Sequence, residues 1–334
     1  GGAFTMNLPA GTAGAIVSVV DYGDNFATNA LTVSPNGSDK LSGDAGNAIL
    51  TTAGQSVTLV FVDSTEGWVT VNDSTENIKL NPNILATGGT ITQQGDDKIH
   101  TFTGPGTFQV QNISTTAANN TVSYMVVAGG GGGRQSYAGG GGAGGYREVK
   151  SPTTPYTASP LDGYATPANR VAITVTSFPI TVGAGGVGQG PSTSTANGSN
   201  SVFSTITAAG GGKSCGTDGN PGRPGANGGS GGGNGHRGSE GGAGNTPPVT
   251  PPQGNNGGSS GPTGFAGDGG GGAGAAGSAG SASCYSSTSG AGGAGTATSI
   301  DGTPTLRAGG GGGGGWTSSG SAGGPGGGGA GGPS

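Results

Sequence analysis

Apolar and polar residues alternate in short runs through the first part of the chain, which is the pattern of β-strands joined by tight turns. In the run over residues 56–62, Val57, Leu59 and Phe61 fall on one face, because successive side chains of a strand point to opposite sides. We therefore predict a β-rich attachment module over residues 1–75. Its four runs are residues 15–20, 31–33, 56–62 and 68–71.

The pattern changes after this module. Residues 76–96 are polar, contain Pro82 and have no regular period, which predicts a linker. Apolar runs at 98–102 and 107–110 then flank a Gly-Pro-Gly turn, and this arrangement predicts that the two runs pair as a hairpin. Together with the run that ends at Val127, they define a β-hairpin base over residues 97–128.

From residue 129 to residue 334, tracts of glycine replace the apolar runs, and 84 of the 334 residues of the chain are glycine. This glycine content is far from that of an ordinary globular domain, and too few apolar residues remain to form one large hydrophobic core. An insertion near residues 147–182 contains two β-like runs, 171–175 and 178–182. We predict a distinct glycine-rich region over residues 129–334, with ordered β structure in this insertion.

Within this region glycine recurs every third residue from Gly219 to Gly231, and again, shifted by one, from Gly232 to Gly244. Three residues make one turn of a polyglycine II helix, whose N–H and C=O groups must bond to neighbouring helices. The fold class we predict is all-β N-terminal modules followed by packed polyglycine II helices, in an elongated, fibre-like protein without significant α-helix. A flexible Gly/Ser linker is the alternative.

Charge and composition argue against several classes of partner. The formal net charge is −5, and 11 Lys and Arg residues form no basic stripe, so we expect no nucleic-acid binding. No run approaches the roughly 18 apolar residues of a membrane span, so we expect no membrane insertion. Two histidines and two cysteines, without zinc spacing, predict no metal site.

The motifs that resemble catalytic or cofactor sites follow from the abundance of glycine. Gly183, Gly185 and Gly188 match a dinucleotide fingerprint after an apolar run, but the next residues do not predict the helix that this motif requires. We expect no cofactor and no enzymatic activity. A sugar-cleaving pair of carboxylates remains an alternative, since such pairs meet only in the fold. The carboxylates considered are Asp162, Asp218, Glu240, Asp268 and Asp301.

Cys215 and Cys284 are the two cysteines, and both lie in glycine-rich sequence. A disulfide between them would close a long loop and stabilise the fold by about 4 kcal/mol. Two separate thiols, as a reducing compartment would enforce, are equally compatible with the sequence.

Aromatic and charged residues interrupt the glycine tracts, and such side chains in turns suit the recognition of sugars or protein loops. For Trp316, packing and receptor contact are equally open roles. A wider set of such residues includes Tyr146, Tyr164 and Phe265. The receptor-binding candidates are Arg134, Tyr137, His236, Arg237, Tyr285 and Trp316.

Five segments with characteristic residues between the glycines occur in this order along the chain: 101–110, 124–133, 144–147, 180–186 and 198–203. Taken together, they resemble the glycine-rich domain of bacteriophage tail-fibre proteins, and the adhesins of T-even-type phages are the nearest mechanistic parallel. The resemblance implies an extracellular virion fibre or fibre-tip protein whose glycine-rich region, residues 129–334, binds a host outer-membrane protein or glycan as its receptor, without covalent chemistry. It also implies contacts with other virion tail proteins and a homotrimer.

Two other functional classes remain alternatives. A structural or ice-binding polyglycine protein would present regularly spaced Thr or Ala on one flat face, and the irregular Arg, Tyr, His and Trp interruptions argue against it. A cellular surface appendage subunit would need polymerisation segments, which the sequence does not display.

Overall fold

A computed structural model of the chain describes residues 2–73, 84–114, 116–134, 137–188, 195–215, 224–281, 288–315 and 320–333. Its regular structure consists of seventeen β-strands, with 3-10 turns at Ala117–Asn120 and Pro167–Asn169 and no α-helix in the described ranges. The all-β prediction is confirmed. The chain forms two compact units: a first unit of residues 1–87, 109–120 and 173–176, and a glycine-rich unit made of the remaining ranges.

The first unit contains two three-stranded sheets and a strand pair. In one sheet β3 lies between β1, which is parallel to it, and β4, which is antiparallel. In the other, β5 lies between β2 and β6, both antiparallel to it. The pair is β7 with residues 109–112 of β10, and the first three residues of β10 belong to the glycine-rich unit. The strands are β1 (Phe4–Asn7), β2 (Ile16–Val20), β3 (Leu31–Ser34), β4 (Ala48–Leu50), β5 (Ser56–Phe61), β6 (Trp68–Asp73), β7 (Leu85–Thr87) and β10 (Gly106–Asn112).

The first unit contains one hydrophobic cluster between residues 8 and 68, and both of its three-stranded sheets contribute to it. The predicted face of β5 is its centre, since Val57, Leu59 and Phe61 are all buried. Trp68 is fully buried and packs edge-on against Phe61, with 5.5 Å between the ring centroids. The opposite face of β5 is half-buried, so this module follows the alternation that the sequence predicts.

The strands of the glycine-rich unit are short and pair antiparallel: β8 with β9, β11 with β12, β16 with β17, and β13 with β14 and β15 in series. Their bounds are β8 (Thr90–Gln94), β9 (Asp97–Thr101), β11 (Tyr124–Val127), β12 (Tyr146–Val149), β13 (Ser177–Thr181), β14 (Ser201–Phe203), β15 (Ile206–Ala208), β16 (Thr296–Thr298) and β17 (Thr305–Arg307).

Two local predictions differ from the structure. The run at 98–102 pairs with β8 through a two-residue loop at Gly95, where φ is +56°, and not with the run at 107–110. A two-residue loop of this kind matches the twist of the strands it joins, and β8 accordingly lies in the stretch predicted as a linker. The run at 171–175 forms only an isolated bridge from Ala172 to Thr121, although Val171 and Ile173 are buried.

The glycine tracts bond to one another through their backbones, with a repeat of three residues. Along residues 267–273, each N–H donates to one of three neighbouring segments according to its position in the repeat. The donors Gly267, Gly270 and Ala273 bond to Gly314, Gly311 and Ala308; Asp268 and Gly271 bond to Asn234 and Gly231; Gly269 and Gly272 bond to Ser278 and Ala275. A tract in this arrangement has its partners on three sides.

Side chains would prevent this close approach of backbones. A Cβ added at Gly270 would lie 2.1 Å from the carbonyl oxygen of Gly141, and one at Gly313 would lie 2.0 Å from that of Gly267. Neither glycine has a left-handed φ. Glycine is therefore required at these positions by the distance between tracts and not by its backbone freedom.

Candidate functional site

Four side chains from three separate segments meet at one end of the glycine tracts, and we call Tyr137, His236, Arg237 and Phe265 the turn cluster. Tyr137 precedes the tract over residues 138–145, whose far end leads directly into β12. The cluster therefore lies at the end of this tract that is distant from β11 and β12.

The aromatic rings of the turn cluster form a chain. The ring centroids of Tyr137 and His236 are 6.4 Å apart, and those of His236 and Phe265 are 5.4 Å apart. The Arg237 guanidinium lies over the Phe265 ring, with 5.4 Å from its carbon to the centroid, in the range of a cation–π contact. Arg237 is exposed, and the three rings are half-buried.

Backbone hydrogen bonds fix the turns that carry this cluster. The N–H of His236 donates to the carbonyl of Tyr137 at 3.0 Å, and that of Arg237 donates to the carbonyl of Gly264 at 2.8 Å. Tyr137 and Arg237 have φ values of +49° and +55°, a region that non-glycine residues rarely occupy and that needs support from the surrounding structure. The turns thus hold the four side chains in defined positions.

Burial lowers the pKa of His236, and the neighbouring positive charge of Arg237 lowers it further. Both effects disfavour the imidazolium, so His236 is neutral at pH 7. The formal charge of the turn cluster at this pH is accordingly the guanidinium of Arg237. The site combines aromatic faces, a neutral imidazole and one exposed cation.

The remaining candidates are placed differently. Arg134 is half-buried at the edge of a groove between glycine tracts and does not belong to the turn cluster. Tyr285 and Trp316 lie outside the described residues. Ser281 and Thr288 flank the segment that contains Tyr285, and the N–H of Ser281 donates a hydrogen bond to the carbonyl of Thr288 at 2.7 Å. The N–H of Phe265 donates to the carbonyl of Ser281 at 3.3 Å.

Of the two cysteines, Cys215 is buried and Cys284 lies outside the described residues, so their pairing stays a prediction. No group of three or more His, Cys, Asp or Glu side chains that could hold a metal ion occurs within the described ranges. None of the helical turns in those ranges is long and apolar enough to cross a membrane.

Of the three glycines that resemble a dinucleotide fingerprint, Gly183 has a packing role. A Cβ added at Gly183 would lie 2.0 Å from the carbonyl oxygen of Ser199, and the N–H of Gly183 donates to the Ser201 hydroxyl at 2.9 Å. This close contact gives Gly183 a reason to be glycine that requires no phosphate.

The carboxylates considered for a sugar-cleaving pair have structural contacts. Asp162 accepts hydrogen bonds from the N–H groups of Lys150 and Tyr164, both at 3.0 Å. Asp301 pairs with Arg307. Asp268 is fully buried and accepts hydrogen bonds from the N–H groups of Ser260 and Gly280. The side chain of Glu240 is exposed, and Asp218 lies outside the described residues.

The turn cluster and the bonded tracts all fall within residues 102–334, which match the family model of the glycine-rich domain. The chain belongs to this glycine-rich domain family. No curated protein matches it. The glycine-rich domain thus includes every receptor-binding candidate, whereas the first β module precedes it.

Sequence reasoning placed Phe265 in the wider set of aromatic residues but not among the principal candidates. Its role depends on which turns meet, and this follows from the order in which the tracts stack. Tyr137, His236 and Phe265 are far apart in the sequence, and no local pattern connects them.

Proposed function

We propose that this protein is a virion tail-fibre or fibre-tip protein whose turn cluster binds a host surface receptor, either an outer-membrane protein or a glycan. The observation that carries the proposal is the convergence of Tyr137, His236 and Arg237 with Phe265 at one end of the glycine tracts. Binding at this cluster is reversible and involves no covalent step.

We also propose that the glycine tracts are polyglycine II helices. The support is the three-residue repeat of hydrogen bonds along residues 267–273, where successive N–H groups donate to three different segments. Such a helix has three residues per turn and no internal hydrogen bonds, so its donors point outward in three directions. Bundling satisfies them while leaving the turns to carry side chains.

The chemistry of the turn cluster supports recognition of a surface. Aromatic side chains offer a large contact area at small entropic cost, and an exposed guanidinium can bind carboxylates or carbonyl groups. The hydrogen-bonded turns limit the ordering that binding would require. From the resemblance to tail-fibre proteins we further propose that the protein is extracellular on the virion, contacts other tail proteins and forms a homotrimer.

Binding of fluorescently labelled protein to candidate host bacteria tests the proposal. The variant carries Arg237→Ala and Phe265→Ala, and the matched control carries Arg170→Ala and Tyr164→Ala. The control pair is also an arginine over an aromatic ring, at 4.3 Å, but it lies in the insertion. Each of the two variants thus removes one exposed arginine and one half-buried ring.

We expect saturable binding by the wild-type protein and the control, and at least tenfold weaker binding by the turn-cluster variant, corresponding to about 1.4 kcal/mol. Equal binding by both variants would assign recognition to another surface. Failure of the wild-type protein to bind any candidate host would favour a structural role.

A further inference from the structure

A groove of about 470 Å³ opens between glycine tracts of the glycine-rich domain, and nearly all of its lining residues are glycine. Most of its wall comes from four tracts, and Arg134 and Gly188 complete it. The tracts are residues 129–133, 139–143, 309–312 and 327–332. Because so few side chains enter it, the groove presents peptide backbone to whatever occupies it.

The tracts around the groove are bonded to each other in sequence. Gly131 donates to Gly142 at 2.8 Å, Gly311 donates to Gly141 at 2.9 Å, and Gly312 donates to Gly329 at 2.9 Å. The groove is therefore bounded by tracts that are already neighbours in the bundle. The groove lies where one additional tract would pack beside them.

In the tract over residues 129–133, two backbone N–H groups that line the groove are not used within the described residues. In the tract over 129–133, the N–H groups of Gly129, Gly131 and Gly132 all donate to other tracts, but those of Gly130 and Gly133 make no hydrogen bond there. These two positions are three residues apart and line the groove. On the side of these two N–H groups, the tract has no partner among the residues that the structure describes.

The glycines on this side have no requirement to be glycine within the fold. A Cβ added at Gly329 or Gly332 would meet nothing within 4 Å, and one at Gly130 or Gly133 would meet nothing closer than 3.6 Å. None of the four has a left-handed φ. At Gly131, by contrast, a Cβ would lie 2.1 Å from the carbonyl oxygen of Gly212. These glycines leave the wall of the groove without side chains, as the close approach of another tract would require.

We propose that this groove binds one extended glycine-rich segment of a partner polypeptide, which enters the bundle as an additional tract. The carbonyl groups of the segment accept from Gly130 and Gly133, whose three-residue spacing matches its own repeat of about 9 Å. The segment must be glycine-rich, since tracts elsewhere in the bundle approach too closely for a Cβ. This inference rests on the packing of the tracts and not on receptor binding by the turn cluster.

A soluble peptide of six glycines flanked by lysines is the probe, and its dissociation constant for the full chain is measured by fluorescence anisotropy. Six residues in this conformation span about 19 Å. The variant is Gly130→Ala with Gly133→Ala, which adds methyl groups that the fold tolerates at two residues that line the groove. The control is Gly104→Ala, another position where a Cβ meets nothing within 4 Å. Circular dichroism confirms that both variants are folded.

We expect saturable binding to the wild-type chain and to Gly104→Ala, and at least tenfold weaker binding to the groove variant. A flanked peptide with alanine in place of all six glycines should bind at least tenfold more weakly than the glycine peptide. Absence of peptide binding, or equal binding to the groove variant, would overturn the proposal. Self-association of the chain that the groove variant abolishes, without peptide binding, would assign the groove to a second copy and would also overturn it.

Discussion

Single glycines inside the bundle determine how closely the tracts can approach. Gly270 donates to Gly311 at 2.8 Å, and a Cβ at this position would lie 2.1 Å from the carbonyl oxygen of Gly141. We expect Gly270→Ala to lower the free energy of unfolding of the glycine-rich domain by about 1–3 kcal/mol, because the methyl group forces two tracts apart. Urea denaturation followed by circular dichroism measures the change.

Gly104→Ala is the matched control for this substitution, since it adds the same methyl group where nothing lies within 4 Å. Its effect on the free energy of unfolding should stay within about 0.5 kcal/mol. Equal destabilisation by the two substitutions would show that the loss does not come from the contact with the Gly141 carbonyl.

At the level of elements, β12 carries a buried carboxylate that connects distant parts of the glycine-rich domain. Glu148 is fully buried and accepts hydrogen bonds from the Tyr146 hydroxyl at 2.7 Å, the Ser159 N–H at 3.0 Å and the Thr298 hydroxyl at 2.6 Å. These contacts join β12, the insertion and β16. Burial, followed by the charge of Glu148, raises the pKa of Tyr146, so this hydroxyl stays protonated and donates.

We expect Glu148→Gln to destabilise the glycine-rich domain by about 2 kcal/mol, because the amide places a donor against groups that themselves donate. Thermal unfolding monitored by circular dichroism measures this loss. Glu240→Gln is the control, since its side chain is exposed, and it should leave the midpoint unchanged. An unchanged midpoint in Glu148→Gln would mean that this network does not hold the insertion.

The alternation in the sequence predicts strands well where one face is buried. Val57, Leu59 and Phe61 alternate, and β5 forms as expected, with the predicted face in the core. Pairing was harder to predict at residues 98–102, because turn residues occur on both sides of the run and either could close a hairpin. At 171–175, Val171 and Ile173 alternate correctly and are buried, but the run finds no strand partner within the described residues.

The candidate site could be predicted only in part, for a related reason. Tyr137, His236 and Arg237 are recognisable as side chains that interrupt glycine. Their meeting with Phe265 depends on the stacking order of whole tracts, and glycine residues of identical chemistry carry no local signal of which tract contacts which. The sequence thus predicts which kinds of residue form the site, but the arrangement of these residues can be known only from the structure.

At the scale of the whole molecule, the two units should respond oppositely to acid. Burial opposes ionisation of Asp21 in the first unit, but N–H groups of Phe26, Asn25, Gly54 and Gly23 outweigh it and lower its pKa below the ordinary value of 3.8. Burial raises the pKa of Asp268 in the glycine-rich unit, although hydrogen bonds from Gly280 and Ser260 oppose the shift.

A lowered pKa gives stability that is present above pH 3.8 and is lost as the pH falls through the folded-state value, so Asp21 makes the first unit acid-sensitive. The raised pKa of Asp268 gives stability that is present below pH 3.8 and is lost as the pH rises through the folded-state value. Denaturant titrations at several pH values, with amide resonances of each unit as reporters, should show these opposite trends. Asp21→Asn and Asp268→Asn should each flatten the trend of its own unit.

The central claim of this account is that the glycine tracts form an ordered bundle held together by backbone hydrogen bonds. Amide hydrogen exchange of the full chain, resolved by residue with NMR, tests it most directly. We predict strong protection at Gly142, Gly270 and Gly311, whose N–H groups donate to other tracts, and rapid exchange at Gly130 and Gly133, which face the groove. Rapid exchange at all five glycines would contradict the bundle, and with it the rigid turns on which the proposed receptor binding depends.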